Sequence, residues 1–533
     1  MLNRRQFLVR SAQAAGALSL GRAGGFPGKT KIGLVASTHS RLARTAPVDD
    51  PLDYTTVRDM VWRAIDYAGG MGGRIRPGSW VVIKPNIVFL RPQPDYRSGD
   101  VTDFRVTKAV LEYVARNSRA ARITVAEGGS YRNHKDPNDN DFVLQNGERI
   151  GAAGFDWGTE EFPGYGGSLG GTLRELEKDF PHARFNYVDL AYDAVRDGSG
   201  KLRRIEVPRT ARGVGGFGER TDYYVTNTIC NCDFLVSVPV MKVHEQCGIT
   251  ASLKNYVGTA PREAYALARG FWNADLHAQH SLEGRIDSFI TDLAAFHPPD
   301  FSVIDGIRGL QNKEHGNGQS DQMIRSNLVM ASRDPVAADA LVARLLGFNP
   351  WDIEFLHMAQ QREMGIMDLS QADVIGDDPS RFVRHWQKPK NWFGRGNREW
   401  RVTTDAAAPA ALWEKYTAPT DTLHFAKWAG NRAIPGARYA AAARVMMEGH
   451  RTAYLWVGAR GRVEAQLNGE TVMVEENLTR YRIGQFQKRV ELQPGENLLV
   501  FRVQAARGPA ELSALLVGPQ NDGDTVDGLR WMA

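Results

Sequence analysis

The run Pro239-Val-Met-Lys-Val-His-Glu-Gln-Cys-Gly-Ile-Thr-Ala-Ser-Leu-Lys-Asn-Tyr-Val-Gly258 places Lys242, His244, Cys247, Lys254 and Asn255 close together along the chain. Lysine ammonium groups hold carboxylates or phosphates as point charges, and an imidazole exchanges protons near neutral pH. Lys242, His244 and Lys254 are therefore candidate catalytic residues for acid/base chemistry on a small anionic molecule. Cys247 follows His244 by three positions, a spacing that suits either a His-x-x-Cys pair on a soft metal or a thiol nucleophile. Elsewhere, Lys84 and Asn86 stand in Ile83-Lys-Pro-Asn86, and Glu127 is followed by Gly128, Gly129 and Ser130, where paired glycines let backbone N–H groups approach an anion. Glu127 and Asp305 offer oxygen ligands for a hard divalent cation such as Mg²⁺. Asp339 reads as a solvent-facing carboxylate on a helix.

Short strands and amphipathic helices must position these groups. Phe234–Val238 is apolar and β-branched, as in a strand buried on both faces, and Pro239 ends its ladder by lacking an N–H. Ile249–Tyr256 reads as a short helix stopped by Gly258. Upstream, Lys31–Ala36, Val81–Ile83 and Ile123–Ala126 read as strands, and Thr55–Ala68 and Phe104–Arg116 as helices with one apolar face. Downstream come a helix at Ile286–Phe296, strands at Phe301–Ile304 and Leu328–Ala331, and a helix at Asp334–Leu346 with Asp334 as its N-cap and Pro335 in its first turn. This βαβ order predicts a mostly parallel, Rossmann-like sheet. Lys84, Asn86, Glu127 to Ser130, Lys242, His244 and Asp305 then fall just past strand ends, where open sheets bind ligands. The alternative is that they are polar plugs, with Asn86 and Asp305 bonded to turn backbones and His244 satisfied within a loop.

Pro239, Lys242, His244, Thr250, Lys254, Asn255 and Gly258 resemble the signature of the domain-of-unknown-function 362 family. Ile83-Lys-Pro-Asn86, Val303-Ile-Asp-Gly306 and the run from Asn327 to Asp339 extend the resemblance over most of Lys31 to Asp377. It implies the family and no particular activity. Many relatives carry cysteine-rich ferredoxin-like segments, and this chain has none, so an iron–sulfur cluster has no positive support.

The N-terminus, with Arg4-Arg5, Phe7-Leu8 and an Ala/Leu-rich stretch, looks like a twin-arginine signal over residues 1–27. It predicts the twin-arginine export machinery as a partner and a periplasmic or extracellular location. The apolar run is too short for a stable membrane span. Those residues hold four arginines and no acid, so the formal charge of +5 falls to about +1 without them. No basic–aromatic tract points to nucleic acid. No phosphate-binding glycine loop supports a nucleotide, and no Gly-x-Ser-x-Gly or His-Glu-x-x-His motif occurs. Three cysteines exclude a disulfide scaffold, although one bridge from Cys230 or Cys232 to Cys247 is easier than one between Cys230 and Cys232.

At 533 residues the chain exceeds one ordinary core. The α/β domain is expected over 28–377, with a long insertion at 130–171 and a β-hairpin excursion at 195–220. An irregular stretch occupies 378–421, and a smaller all-β, jelly-roll-like sandwich 422–533. Gln466-Leu-Asn-Gly-Glu and Leu492-Gln-Pro-Gly-Glu-Asn resemble galactose-binding-like accessory modules, which imply either sugar binding or packing against the main domain. Three readings follow: an exported enzyme acting on a small anion, with or without a divalent metal; a metal or ligand carrier; and a cell-surface glycan-binding protein.

Overall fold

A computed structural model describes residues 29–37, 44–45, 52–87, 99, 101–128, 142–143, 149–151, 167–218, 221–244, 247–265, 286–312, 322–388, 396–405, 407, 409–418, 422–429, 436–477, 484–505, 510–521 and 526–532. The signal-like segment 1–27, most of the 130–171 insertion, Gly129 and Ser130 lie outside them. Among the described residues no helix is long and apolar enough to cross a membrane.

The first domain runs β1 (Thr30–Ala36), α1 (Tyr54–Tyr67), β2 (Trp80–Pro85), α2 (Phe104–Asn117), β3 (Arg122–Glu127), α3 (Leu169–Asp179), β4 (Arg184–Asp189), β5 (Phe234–Val238), β6 (Lys242–His244), β7 (Gly248–Thr250), α4 (Ile286–Ala294), β8 (Phe301–Leu310), β9 (Met323–Ser332), α5 (Pro335–Leu345), α6 (Glu354–Gln361) and β10 (Ala372–Gly376). The main sheet has the order β10-β1-β9-β8-β5-β2-β3-β4. All neighbours are parallel except β9, which runs antiparallel to β1 and β8. Alternate residues feed two cores. Val81, Ile83, Val125 and Val236 pack with α1, α2 and α3, whereas Val82, Ala126, Leu235 and Ile304 pack with α4, α5 and α6. Asp53 caps α1 through Thr56 N–H at 2.7 Å, and Val57, Met60, Val61, Ala64 and Ile65 form its buried stripe.

Two local expectations change. Ile249–Tyr256 is not a helix: β7 pairs with β6 in the register Lys242↔Thr250, and a 3₁₀ turn follows at Lys254–Thr259. The backbone N–H groups of Ser252 and Leu253 go to the Asp339 carboxylate instead of to helix carbonyls. Asp305 and Gly306 do not end their strand either. β8 continues past them against β9, with a register shift between Gly306 and Arg308. A short hairpin pairs Arg204–Glu206 with Asp222–Tyr224, so its second strand lies past the 195–220 bounds read from the sequence.

The C-terminal region is all-β and antiparallel. Its two sheets share one core that includes Trp400, Val445, Leu455, Phe501 and Leu512. Glu399–Thr403 and Glu414–Thr417 already belong to it, through pairing with each other and with Arg438–Met447. The region therefore begins inside the stretch read as irregular. Tryptophans scattered among charges hid the alternation there, but Trp400 and Val402 are both fully buried. Across the junction, Arg398 reaches Glu354 of α6 at 2.7 Å, with both side chains almost wholly buried.

Candidate functional site

The carboxyl ends of β2 and β3 bring Lys84 and Glu127 together. Lys84 Nζ donates to Glu127 Oε2 at 2.6 Å, to Asn255 Oδ1 at 2.8 Å and to the Pro85 carbonyl at 2.9 Å. Glu127 also accepts the Ile87 and Gly128 N–H groups, each at 2.8 Å. Asn255 Nδ2 donates to Lys84 O at 2.8 Å and to Ser237 Oγ at 3.0 Å, so its amide is fixed from both ends. Gly258 closes the cluster. A Cβ there would sit 2.3 Å from Glu127 Oε1 and 2.6 Å from Lys84 Nζ. Burial pushes the Lys84 ammonium below the usual lysine range, Glu127 opposes the shift, and the charge of Lys254 adds to it. Lys254 is itself only 8 % exposed, and among the described residues it has no ion pair or hydrogen bond.

A second network continues the seam. Thr102 Oγ1 accepts the Asn86 N–H at 2.9 Å and donates to the Val238 carbonyl at 2.7 Å, tying the end of β2 to the end of β5. The next residue, Asp103, gives its N–H to Asp305 Oδ2 at 2.7 Å, and Ile307 N–H reaches Asp305 Oδ1 at 2.9 Å. The Asp103 carboxylate pairs with Arg105 at 2.6 Å and Arg308 at 3.3 Å. Burial works against its charge, but the two guanidinium groups outweigh it and hold Asp103 at about 2. Burial, and then the charge of Asp103, push Asp305 up to about 7. Asn86 Oδ1 and Thr250 Oγ1 are buried with no hydrogen-bond partner among the described residues.

β6 and β7 carry the remaining candidates. His244 Nδ1 accepts the Cys247 N–H at 3.4 Å, and the Cys247 thiol faces the Ile249 carbonyl at 3.5 Å. Lys242 and His244 are buried. All three cysteines are free thiols, so the bridge to Cys247 does not form. Glu127 and Asp305, read as oxygen ligands for one cation, sit in separate networks. Among the described residues no three His, Cys, Asp or Glu side chains converge as a metal set.

Asp339 corrects the sequence reading most sharply. It is fully buried and accepts the Ser252 and Leu253 N–H groups at 2.8 and 2.9 Å, which fixes the loop just before Lys254 and Asn255. Burial pushes it up to about 8 against those two hydrogen bonds, with Asp334 adding to the shift. A helix buried on nearly every side explains the error, because α5 has no solvent face at that position. Ser237, Thr102 and Asp103 were also missed. Only their places at or just past strand ends, or next to a helix start, could have pointed to them.

The chain is 22% identical over 169 residues to a thylakoid-associated protein of Synechocystis sp., a match covering 31% of this chain and 49% of the relative. The chain thus spans about half the length of the curated relative it matches. Among solved structures, the lactate racemase apoprotein of Thermoanaerobacterium thermosaccharolyticum overlaps 52% of each chain at 12% identity and a TM-score of 0.26. A β-galacturonidase of Eisenbergiella tayi overlaps 22% of this chain and 23% of its own at 12% identity and 0.16. A family 35 carbohydrate binding module from an environmental isolate overlaps 19% and 72% at 15% identity and 0.14. Scores this low identify no common fold. The family model described as a domain of unknown function, DUF362, matches residues 200–344, the part of the chain that contains β5 to β9 and the Lys242–Gly258 loop.

Proposed function

We propose that the strand-end seam binds a small anion, a carboxylate or a phosphate, and that the protein is an exported enzyme that moves a proton on that ligand. Charge balance carries the reading. Lys84 and Glu127 neutralise each other at 2.6 Å, whereas Lys254, buried beside them, has no acidic partner among the described residues. A buried charge without a counter-charge is costly, and a bound anionic group would supply one. Thr250 Oγ1 could donate to such a ligand and Asn86 Oδ1 could accept from its hydroxyl. His244 and Asp305 are the proton-transfer candidates, Asp305 because burial raises it to about 7, and Lys242, on β6, is the second lysine of the Lys242–Gly258 segment.

The test is a thermal-shift series on the full chain with inorganic phosphate, citrate and, as a neutral control, glucose. A ligand that binds only the folded state raises the melting temperature saturably. Phosphate or citrate should do so and glucose should not, with Lys254→Ala removing the response. No shift with either anion, or an undiminished shift in Lys254→Ala, would refute the reading.

For the all-β region we favour a packing role over glycan binding, because Arg398 is buried against Glu354 of the α/β domain. Glycan-array binding by the full chain would contradict that assignment.

A further inference from the structure

A separate group of reactive side chains gathers at the opposite end of the strands, where β5 and β8 begin. Cys232 Sγ lies 3.7 Å from His297 Nδ1, and His297 Nε2 lies 3.1 Å from Asp300 Oδ2. Asp300 Oδ2 also accepts the Leu235 N–H at 2.9 Å, and the Asp300 N–H returns to the Leu235 carbonyl at 2.9 Å. The Tyr256 hydroxyl donates to the His297 carbonyl. The ring is thus held through its own backbone and through Nε2. With the Nε2 proton directed to a carboxylate, the Nδ1 lone pair faces the thiol. The Ile229 carbonyl, 3.5 Å from Cys232 Sγ, is the competing acceptor for the thiol proton.

We propose that Cys232, His297 and Asp300 form a nucleophilic thiol array, with Cys232 as nucleophile, His297 as its base and Asp300 as the positioning residue, acting on an acyl thioester. Nucleophile, base and orienting carboxylate are linked in the order that thiol catalysis requires. Burial opposes a charged His297, but the Cys232 sulfur and the hydrogen bonds to Asp300 and Cys232 outweigh it and raise the ring well above its ordinary range, so a proton taken from the thiol is held on Nδ1. Neighbouring Cys230 is pushed up to about 12 by burial, then by Cys232 and Asp193, so it stays a thiol. The array meets solvent on its far side, where the His297 and Asp300 side chains are 17% and 29% exposed.

In the first step the S–H bond breaks and its proton passes to Nδ1, while the sulfur electron pair forms a bond to the acyl carbon. The departing thiolate leaves with the electrons of the old C–S bond and takes the proton back from His297. Water then attacks the acyl-Cys232, giving one proton to His297, which returns it to Sγ as the carboxylic acid leaves. A thioester suits the site because sulfur both attacks and departs, so one imidazole serves both proton transfers.

The test is alkylation of the full-length protein by iodoacetamide at pH 7, read cysteine by cysteine by peptide mass mapping. Cys232 should react at least about tenfold faster than Cys230 and Cys247, and His297→Gln should slow it by about a hundredfold, the scale of a lost general base. Asp300→Asn should slow it less, and Asp300→Glu should restore part of the rate. S-acetyl-N-acetylcysteamine should leave an acetyl group on the Cys232 peptide. Equal labelling of the three cysteines in the unmutated protein, which needs no variant to fold, would overturn the array. A Cys232 rate unchanged in His297→Gln would do the same, and absence of both the acetyl adduct and released N-acetylcysteamine thiol would overturn the acyl assignment.

Discussion

Two buried ion pairs of this molecule stand in contrasting surroundings. Lys84–Glu127, at 2.6 Å, joins the ends of β2 and β3, and Arg398–Glu354, at 2.7 Å, joins the α/β domain to the all-β region. Their immediate chemistry is alike, but their surroundings differ. At the junction, burial lowers Arg398 to about 9, with Asp287 and Glu399 opposing, and Asp287 is itself engaged by the Phe355 N–H at 3.0 Å. At the strand ends an extra buried cation, Lys254, stands beside a pair that is already neutral. Burial of charge marks both places. Among the described residues, the strand ends and not the junction hold a lysine without an acidic partner, which makes them the candidate for a ligand.

The sharpest way to break the comparison is to remove one partner from each pair. Arg398→Met and Lys84→Met should each cost about 3–5 kcal/mol in chemical denaturation, because each strands a buried carboxylate. The phosphate response should survive in Arg398→Met and disappear in Lys84→Met. Gly258→Ala comes next: with 2.3 Å to Glu127 Oε1, the new methyl must displace the pair, at about 1–3 kcal/mol and with loss of the response.

Smaller is a pH effect. Asp339 is raised to about 8, so between about 4 and 8 the folded chain holds a proton that the unfolded chain releases. That contribution to stability is full below the unfolded value and is lost as pH rises through the folded one. Unfolding free energy should fall with rising pH across this window, by on the order of 1 kcal/mol per unit, and Asp339→Asn should flatten the slope. Asp305, at about 7, and Asp292, at about 6, keep part of it below neutrality. A slope unchanged in Asp339→Asn would show that this carboxyl does not hold the proton.

Much of the seam was legible because strand periodicity and the Lys242–Gly258 signature are local. Lys84, Glu127 and Asn255 were singled out from strand ends and signature alone, and they meet. What failed was tertiary. Asp339 looked exposed because one carboxylate on a helix is usually solvated, whereas the register of α5 against the signature loop makes it a backbone acceptor. Ile249–Tyr256 looked helical because nothing in the segment announces a pairing with Lys242–His244. His297 and Asp300 drew no notice, since their partner, Cys232, lies 65 residues away in sequence.

The most direct measurement is isothermal titration of inorganic phosphate into the full chain and into Lys254→Ala, both checked for matched melting temperature. The excess-cation account predicts saturable binding that weakens by about 10- to 100-fold in the variant, the scale of a charged hydrogen bond. Equal affinity in the two proteins, or no binding in the unmutated chain, would contradict it.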